Sequence, residues 1–263
     1  MVIDFATEIP APARPVKVPE VTMLFWLIKM MSTTVGKSAA DLLNADPRSG
    51  LTGYCMVLGI LLMAILPAQV RSRQFTPWLY WCCMLLVGMA GALLSDSLID
   101  QLSVPLTYAT GLFCVMLWIT LAVWHAEESS VSFRSIVTRK RELFYWLAIL
   151  FTFALGTIAG DWVAENLHPG YAFTVLLLGV ALGLVAVGHY LLEFSATSCF
   201  WTACVLTCSF GNACSDWLAQ PVHDGGLGLG KLVTSGLFLL TTIGLVGYLS
   251  ATRKHLTGSQ WLE

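Results

Sequence analysis

The sequence is poor in charge. Only 11% of its 263 residues are Asp, Glu, Lys or Arg, whereas 57% are hydrophobic, and the mean hydropathy is +0.75. Because a soluble domain carries about 25% charged residues, this composition excludes an ordinary water-soluble fold and places the chain in a lipid bilayer. The net charge of −2 gives no overall attraction to nucleic acid, so we expect no nucleic-acid partner.

The sequence also lacks the common motifs of enzyme active sites. It contains no G-x-S-x-G, no H-E-x-x-H and no paired C-x-x-C, so we expect neither an enzyme nor a bound cofactor. The cysteines all fall in apolar segments, where Cys behaves as a small hydrophobic residue. Cys204 and Cys208 share one helix face, which leaves a soft-metal site as the less favoured alternative.

Long apolar segments dominate what is present. A membrane-spanning helix needs about 20 such residues. Eight segments qualify, at 22–43, 51–70, 77–99, 104–125, 143–166, 171–192, 197–219 and 229–250. The predicted fold is therefore all-α, a polytopic membrane protein with eight transmembrane helices.

Basic residues concentrate on one side of the predicted membrane. They are Arg14, Lys17, Arg71, Arg73, Arg134, Arg139, Lys140, Arg141, Arg253 and Lys254. By the positive-inside rule, both termini are expected in the cytoplasm. The expected organisation is a flexible cytoplasmic tail (1–19), a first membrane half (20–125), a cytoplasmic loop (126–142), a second membrane half (143–252) and a cytoplasmic tail (253–263).

One motif recurs four times without gaps. The pattern Phe/Tyr-Trp-x9-Gly-x3-small-Asp begins at Phe25, Tyr80, Tyr145 and Phe200. Successive motif aspartates are 55, 65 and 55 residues apart, so the chain forms two halves of two repeats each. Since each repeat holds two predicted spans, the four motif-bearing helices run in the same direction, as parallel repeats.

The glycine of the motif and the small residue four positions later share one helix face. Small residues at this spacing let helix backbones approach closely within a membrane. We therefore predict helix packing at Gly36, Gly91, Gly156, Gly160 and Gly211.

The motif ends on an aspartate in the outer half of the predicted membrane, where a carboxylate is costly and usually functional. Carboxylate oxygens suit Mg, Ca or Mn, and the candidate ligands are Asp41, Asp96, Asp161 and Asp216, with Asp100 and Glu165 as added carboxylates in the middle repeats. Lys37 lies four residues before Asp41, so the two are expected to pair along the helix. Alternatively, each aspartate lies at the interface and bonds to nearby backbone.

These features favour an integral membrane transporter of a small cation that uses the intramembrane aspartates, with divalent metals among the candidate substrates. Two alternatives stay open: a transporter of small organic solutes, and a non-transporting scaffold or sensor with loop 126–142 as its contact surface. The expected partners are the lipid bilayer and the cation substrate, and a homo-oligomer is left open.

Three runs carry a resemblance to a known family: TTVGKSAADLLN, RELFYWLAILFTFALGTIAGDWVAE and QPVHDGGLGLGKLVTS. They resemble uncharacterised bacterial membrane-anchored proteins defined by a repeat of unknown function, over about residues 22–250. The resemblance implies a bacterial inner-membrane protein built from four repeats, and it implies no activity.

Overall fold

A computed structural model describes residues 18–19, 21–44, 50–72, 75–133, 136–167 and 170–259, with side chains for 18–19, 21–38, 56–72, 75–133, 136–164, 170–223 and 225–252. The described chain is helical, without strands. The α-helices are α1 (Met23–Asn44), α2 (Gly50–Arg71), α3 (Pro77–Asp96), α4 (Leu106–Glu128), α5 (Arg139–Leu167), α6 (Tyr171–Tyr190), α7 (Ala196–Ala219) and α8 (Lys231–Ser259). Each predicted apolar segment overlaps one of them, so the all-α prediction is confirmed for these residues.

Several helices are suited to a membrane by length and composition. Among the described residues these are α3 with the π-helical turn that follows it (Ser97–Gln101), α4, α5, α6 and α8, while α2 contributes the shorter apolar stretch Met56–Arg71. Large apolar side chains are exposed on α2, α4, α6 and α8, among them Met63, Trp118, Leu184 and Leu240. Exposed apolar faces of this extent indicate a membrane-embedded protein.

Helices α1 and α7 fall short of that apolar composition because they carry polar side chains. Those side chains are buried within the bundle: Lys29, Ser32, Thr33, Thr34, Lys37 and Ser38 on α1, and Thr207, Ser209, Asn212 and Ser215 on α7. The polar residues of α1 and α7 therefore face the protein interior, beside buried apolar side chains, while large apolar side chains are exposed on α2, α4, α6 and α8.

The four motif-bearing helices form a closed ring. Helix α1 packs against α3 and α7, and α5 packs against the same two helices. At one end of the ring the rings of Phe25 and Phe200 lie 6.3 Å apart, and at the other end the Ser38 and Ser215 hydroxyls are 3.0 Å apart. Residues near the start of one helix contact residues near the start of its neighbour, and residues near the ends contact each other. Neighbouring helices of the ring, which we call the inner helices, therefore run in the same direction.

The motif glycines lie where one inner helix meets the next. A Cβ atom added at Gly91 would lie 2.7 Å from Phe153 Cβ and 3.0 Å from the Ala154 amide nitrogen on α5. Any side chain at this position would force α3 and α5 apart. The other predicted packing residues also face a neighbouring inner helix: Gly36 faces α3, Gly156 and Gly160 face α7, and Gly211 faces α1.

The remaining helices surround the ring. Helix α2 packs mainly on α3, α4 on α5, α6 on α7, and α8 on α1. Each outer helix thus lies chiefly against the inner helix of the following repeat, and the last outer helix returns to the first inner helix. These contacts connect all four repeats in a circle and place the inner helices around a common axis.

Candidate functional site

Corresponding residues of the four inner helices lie at matching levels along the ring, as the Phe25–Phe200 and Ser38–Ser215 contacts show. Taking every fourth residue by its position along the helix gives five axial layers: Phe25, Tyr80, Tyr145 and Phe200 in the first; Lys29, Met84, Ile149 and Cys204 in the second; Thr33, Gly88, Phe153 and Cys208 in the third; Lys37, Ala92, Thr157 and Asn212 in the fourth; and Asp41, Asp96, Asp161 and Asp216 in the fifth. All residues of the first four layers are buried.

Among the described residues, the fourth and fifth layers bring three charged side chains together. The Lys37 ammonium donates to Asp161 Oδ1 at 2.6 Å and to Asp216 Oδ2 at 3.0 Å. The lysine side chain is 10% exposed, and the two carboxylates are 28% and 20% exposed. We call these residues the Lys37 cluster. Its three side chains carry one net negative charge, and they come from three different repeats.

Neutral hydrogen bonds fix the helices around the Lys37 cluster. Ser38 and Ser215 join α1 to α7 through their hydroxyls, and the Thr34 hydroxyl donates to the Gly211 carbonyl oxygen at 2.9 Å. The Asn212 side-chain amide donates to Thr157 Oγ1 at 3.0 Å and so joins α7 to α5. These bonds lie within one turn of the cluster, so they hold its charged side chains at short range.

A second lysine lies deeper in the ring. Lys29 is fully buried, and its ammonium donates to the Cys204 carbonyl oxygen and to Cys208 Sγ, both at 3.1 Å. The same nitrogen lies 4.7 Å from the centre of the Phe153 ring, within the range of a cation–π contact. The Thr33 hydroxyl donates to the Lys29 carbonyl oxygen at 2.9 Å. The partners of this ammonium are therefore a carbonyl, a thiol and an aromatic face.

Polar side chains continue to the aromatic end of the ring. The buried hydroxyls of Tyr80 and Tyr145 are 2.6 Å apart. Glu142, which is 1% exposed, accepts a hydrogen bond from Gln69 Nε2 at 3.2 Å. Glu142 and Asp161 lie on the same helix, roughly 28 Å apart at 1.5 Å per residue. Buried polar groups therefore extend along a length close to the hydrocarbon thickness of a bilayer, about 30 Å.

The structure brings together only some of the predicted cation ligands. Asp161 and Asp216 both contact Lys37, whereas Asp96 is half-buried at the end of α3 and Asp100 is exposed in the π-helical turn. The side chains of Asp41 and Glu165 lie outside the described residues. Within the described part of the chain, no group of three or more His, Cys, Asp or Glu side chains is placed to hold a metal ion.

The prediction for Lys37 considered only its own helix. The predicted pairing of Lys37 with Asp41 involves a side chain that lies outside the described residues. The described partners of Lys37 lie across the ring, on α5 and α7. Lys29 and Glu142 were not among the predicted site residues. Both are charged residues within or beside apolar segments, and that signal could have identified them.

Comparison with protein families supports the fourfold repeat. A family model described as "Repeat of Unknown Function (DUF347)" matches residues 24–75, 79–130, 144–195 and 199–255. Each matched segment contains one inner helix and the outer helix that follows it. Comparisons with curated proteins and with solved structures give no match.

Proposed function

The chain belongs to this repeat family, and we propose that it is a membrane transporter of a small cation whose binding site is the Lys37 cluster. One observation carries the proposal: carboxylates from two repeats, Asp161 and Asp216, converge on a single cation position. Carboxylates at membrane depth are costly and in known membrane proteins commonly mark ion pathways.

The Lys37 ammonium occupies that position as a cation attached to the protein. A transported cation would bind by displacing it from one or both carboxylates, and Lys37 would return when the cation leaves. The carboxylates of Asp161 and Asp216 would then never remain without a cation for long, which avoids the cost of burying an unpaired carboxylate. The net negative charge of the cluster favours a cation at this place.

The distances support a monovalent, ammonium-sized cation over a divalent metal. The cluster holds its cation at 2.6 and 3.0 Å from single carboxylate oxygens. Magnesium requires oxygens at about 2.0–2.1 Å, and calcium takes six to eight oxygens at about 2.3–2.6 Å. The described residues present two carboxylates here, which is fewer oxygen ligands than the six to eight that calcium takes.

The proposal includes a topology of eight crossings with both termini in the cytoplasm of a bacterium and the protein in its inner membrane. The common direction of the inner helices supports it, as do the inward-facing polar residues of α1 and α7, which explain why these two helices are less apolar. The positive-inside rule places the basic segment around Arg139–Arg141 in the cytoplasm. The Lys37 cluster would then lie in the outer half of the membrane.

Reporter fusions test this topology. A fluorescent protein fused after Ser129 should fluoresce, because that fusion point lies in the cytoplasm. Alkaline phosphatase fused after Gly225 should be active, because that point lies outside. The opposite pattern at both points would invert the proposed orientation.

Transport is tested with purified protein in liposomes, using radioactive rubidium and manganese as probes and a membrane potential as the driving force. Wild type should accumulate rubidium above protein-free liposomes. Asp161→Asn and Asp216→Asn should each lower uptake at least about tenfold, because each removes a charged ligand. Glu127→Gln is the control, since this carboxylate pairs with Lys140 on the surface, where both side chains are 53% exposed.

The outcomes separate the alternatives. Undiminished rubidium uptake by both aspartate variants would sink the proposed site. If wild type takes up manganese and both aspartate variants lose that uptake, the cluster is a site for divalent cations instead. An organic solute carried equally by wild type and both variants would favour the organic-solute transporter.

A further inference from the structure

Lys29 and Lys37 both lie on α1, two axial layers apart. Eight residues of helix separate them by roughly 12 Å. Both ammonium groups point into the ring and are held there by side chains or backbone of other repeats. The interior of the ring thus contains two cation positions in line, each occupied by a lysine of the protein.

The groups around Lys29 are those that bind cations elsewhere in membrane proteins. A backbone carbonyl oxygen, here that of Cys204, is the ligand that channel filters present to monovalent ions. The face of Phe153 attracts a cation through the ring quadrupole. Cys208 adds a polarisable sulfur atom. No carboxylate is among the described partners of Lys29, so this position suits weak, reversible binding of a monovalent cation.

Phe153 lies next to the inner position. Its ring centre is 4.7 Å from the Lys29 ammonium, the residue is 1% exposed, and by its position along α5 it belongs to the layer after that of Lys29 and before that of Lys37. The ring fills space that Gly88 leaves open, since a Cβ atom at residue 88 would lie 3.0–3.3 Å from three ring carbons. The other residues of this layer, Thr33 and Cys208, are small. The aromatic ring is therefore the bulky group that closes the interior at this level.

We propose that Lys29 marks a second, inner binding position for the transported monovalent cation, and that the Phe153 ring is the barrier between it and the Lys37 cluster. The cation binds at the two positions in turn and passes the ring when it turns aside. This inference rests on the proposed transport function and deepens it.

The Phe153→Ala variant tests the barrier with rubidium efflux from loaded proteoliposomes. Removal of the ring should raise efflux at least about tenfold and make it proportional to the rubidium concentration rather than saturable. Phe151→Ala is the matched control, because Phe151 is on the same helix but packs toward Phe113 on α4. Saturable efflux at the wild-type rate from Phe153→Ala would overturn the barrier.

Lys29→Met tests the inner position with two readouts. Rubidium uptake should fall at least about tenfold, while rubidium binding to the purified protein, which reports the Lys37 cluster, should change less than about twofold. A wild-type uptake rate would overturn the proposal, and so would an equal loss of binding and uptake in folded protein. If this variant does not fold, Cys208→Ala serves in its place, with an expected loss of uptake of about threefold or more, and unchanged uptake there contradicts the inner position.

The aspartate variants distinguish failure of this inference from failure of the transport proposal. If Asp161→Asn and Asp216→Asn lose uptake while Lys29→Met and Cys208→Ala keep it, the cluster transports cations without an inner position. If all of these variants keep full uptake, the proposed function itself fails.

Discussion

Replacing Lys37 with methionine leaves the carboxylates of Asp161 and Asp216 facing each other across the space of the lost ammonium. With the ammonium 2.6 and 3.0 Å from the two oxygens, those oxygens are roughly 5 Å apart, and two unit charges at that distance repel by about 3 kcal/mol at an effective dielectric constant of 20. Measured losses for breaking buried ion pairs are about 3–5 kcal/mol. Because the carboxylates are partly exposed, we expect the lower value, about 3 kcal/mol.

The assay is thermal unfolding of the purified protein in detergent. A loss of about 3 kcal/mol should lower the midpoint by roughly 6–12 °C. The triple variant Lys37→Met, Asp161→Asn, Asp216→Asn removes all three charges, so it should recover most of the loss, because uncharged replacements of buried ion networks are often close to neutral.

Lys140→Met provides the control for the Lys37 substitution. Lys140 pairs with Glu127 at 2.6 Å, but both side chains are 53% exposed, and such pairs contribute about 0–1 kcal/mol. A Lys37→Met midpoint equal to that of the control would refute the electrostatic reasoning. So would a triple variant as unstable as Lys37→Met, because the loss would then come from packing rather than from charge.

Three further predictions follow from contacts elsewhere in the bundle, each measured by the same thermal unfolding. Gly91→Ala should lower stability by about 1–3 kcal/mol, because the added Cβ would lie 2.7 Å from Phe153 Cβ; an unchanged midpoint would contradict the close packing of α3 on α5. Gly111→Ala, where no atom lies within 4 Å of the added Cβ, should raise stability by about 0.4–1 kcal/mol, and a loss there would mean that its outer face is covered. Gln69→Leu should cost about 1–3 kcal/mol because it removes a donor to the buried Glu142, and a midpoint at the wild-type value would show that this bond contributes little.

Much of the helix pattern could be read from the sequence because it depends on local composition. Apolar runs of about 20 residues predict helices without knowledge of their neighbours. The motif glycines indicated close approach because they stand four residues from another small residue, and the structure places Gly91 and Gly211 between inner helices. The spacing of residues within one helix does not identify the helix against which it packs.

The candidate site was likewise only partly predictable from the sequence. Asp161 and Asp216 were candidate ligands because a carboxylate in an apolar helix is costly wherever the helix packs. The position of Lys37 suggested only Asp41, because a helix brings together residues three or four apart. Its contacts with α5 and α7 depend on the ring of inner helices, which brings together residues 124 and 179 positions apart in the chain.

The sequence by itself determined the helices and the four repeats, since both follow from hydrophobicity and spacing along one segment. Only the tertiary structure decided that the ring closes α7 on α1, that outer helices pack on the following repeat, and that Phe153 fills the space above Gly88. These depend on the shapes of facing surfaces, because helices in a membrane associate through packing and hydrogen bonds rather than through a difference in hydrophobicity. The two lysines became candidate cation positions only when that packing placed them in line inside the ring.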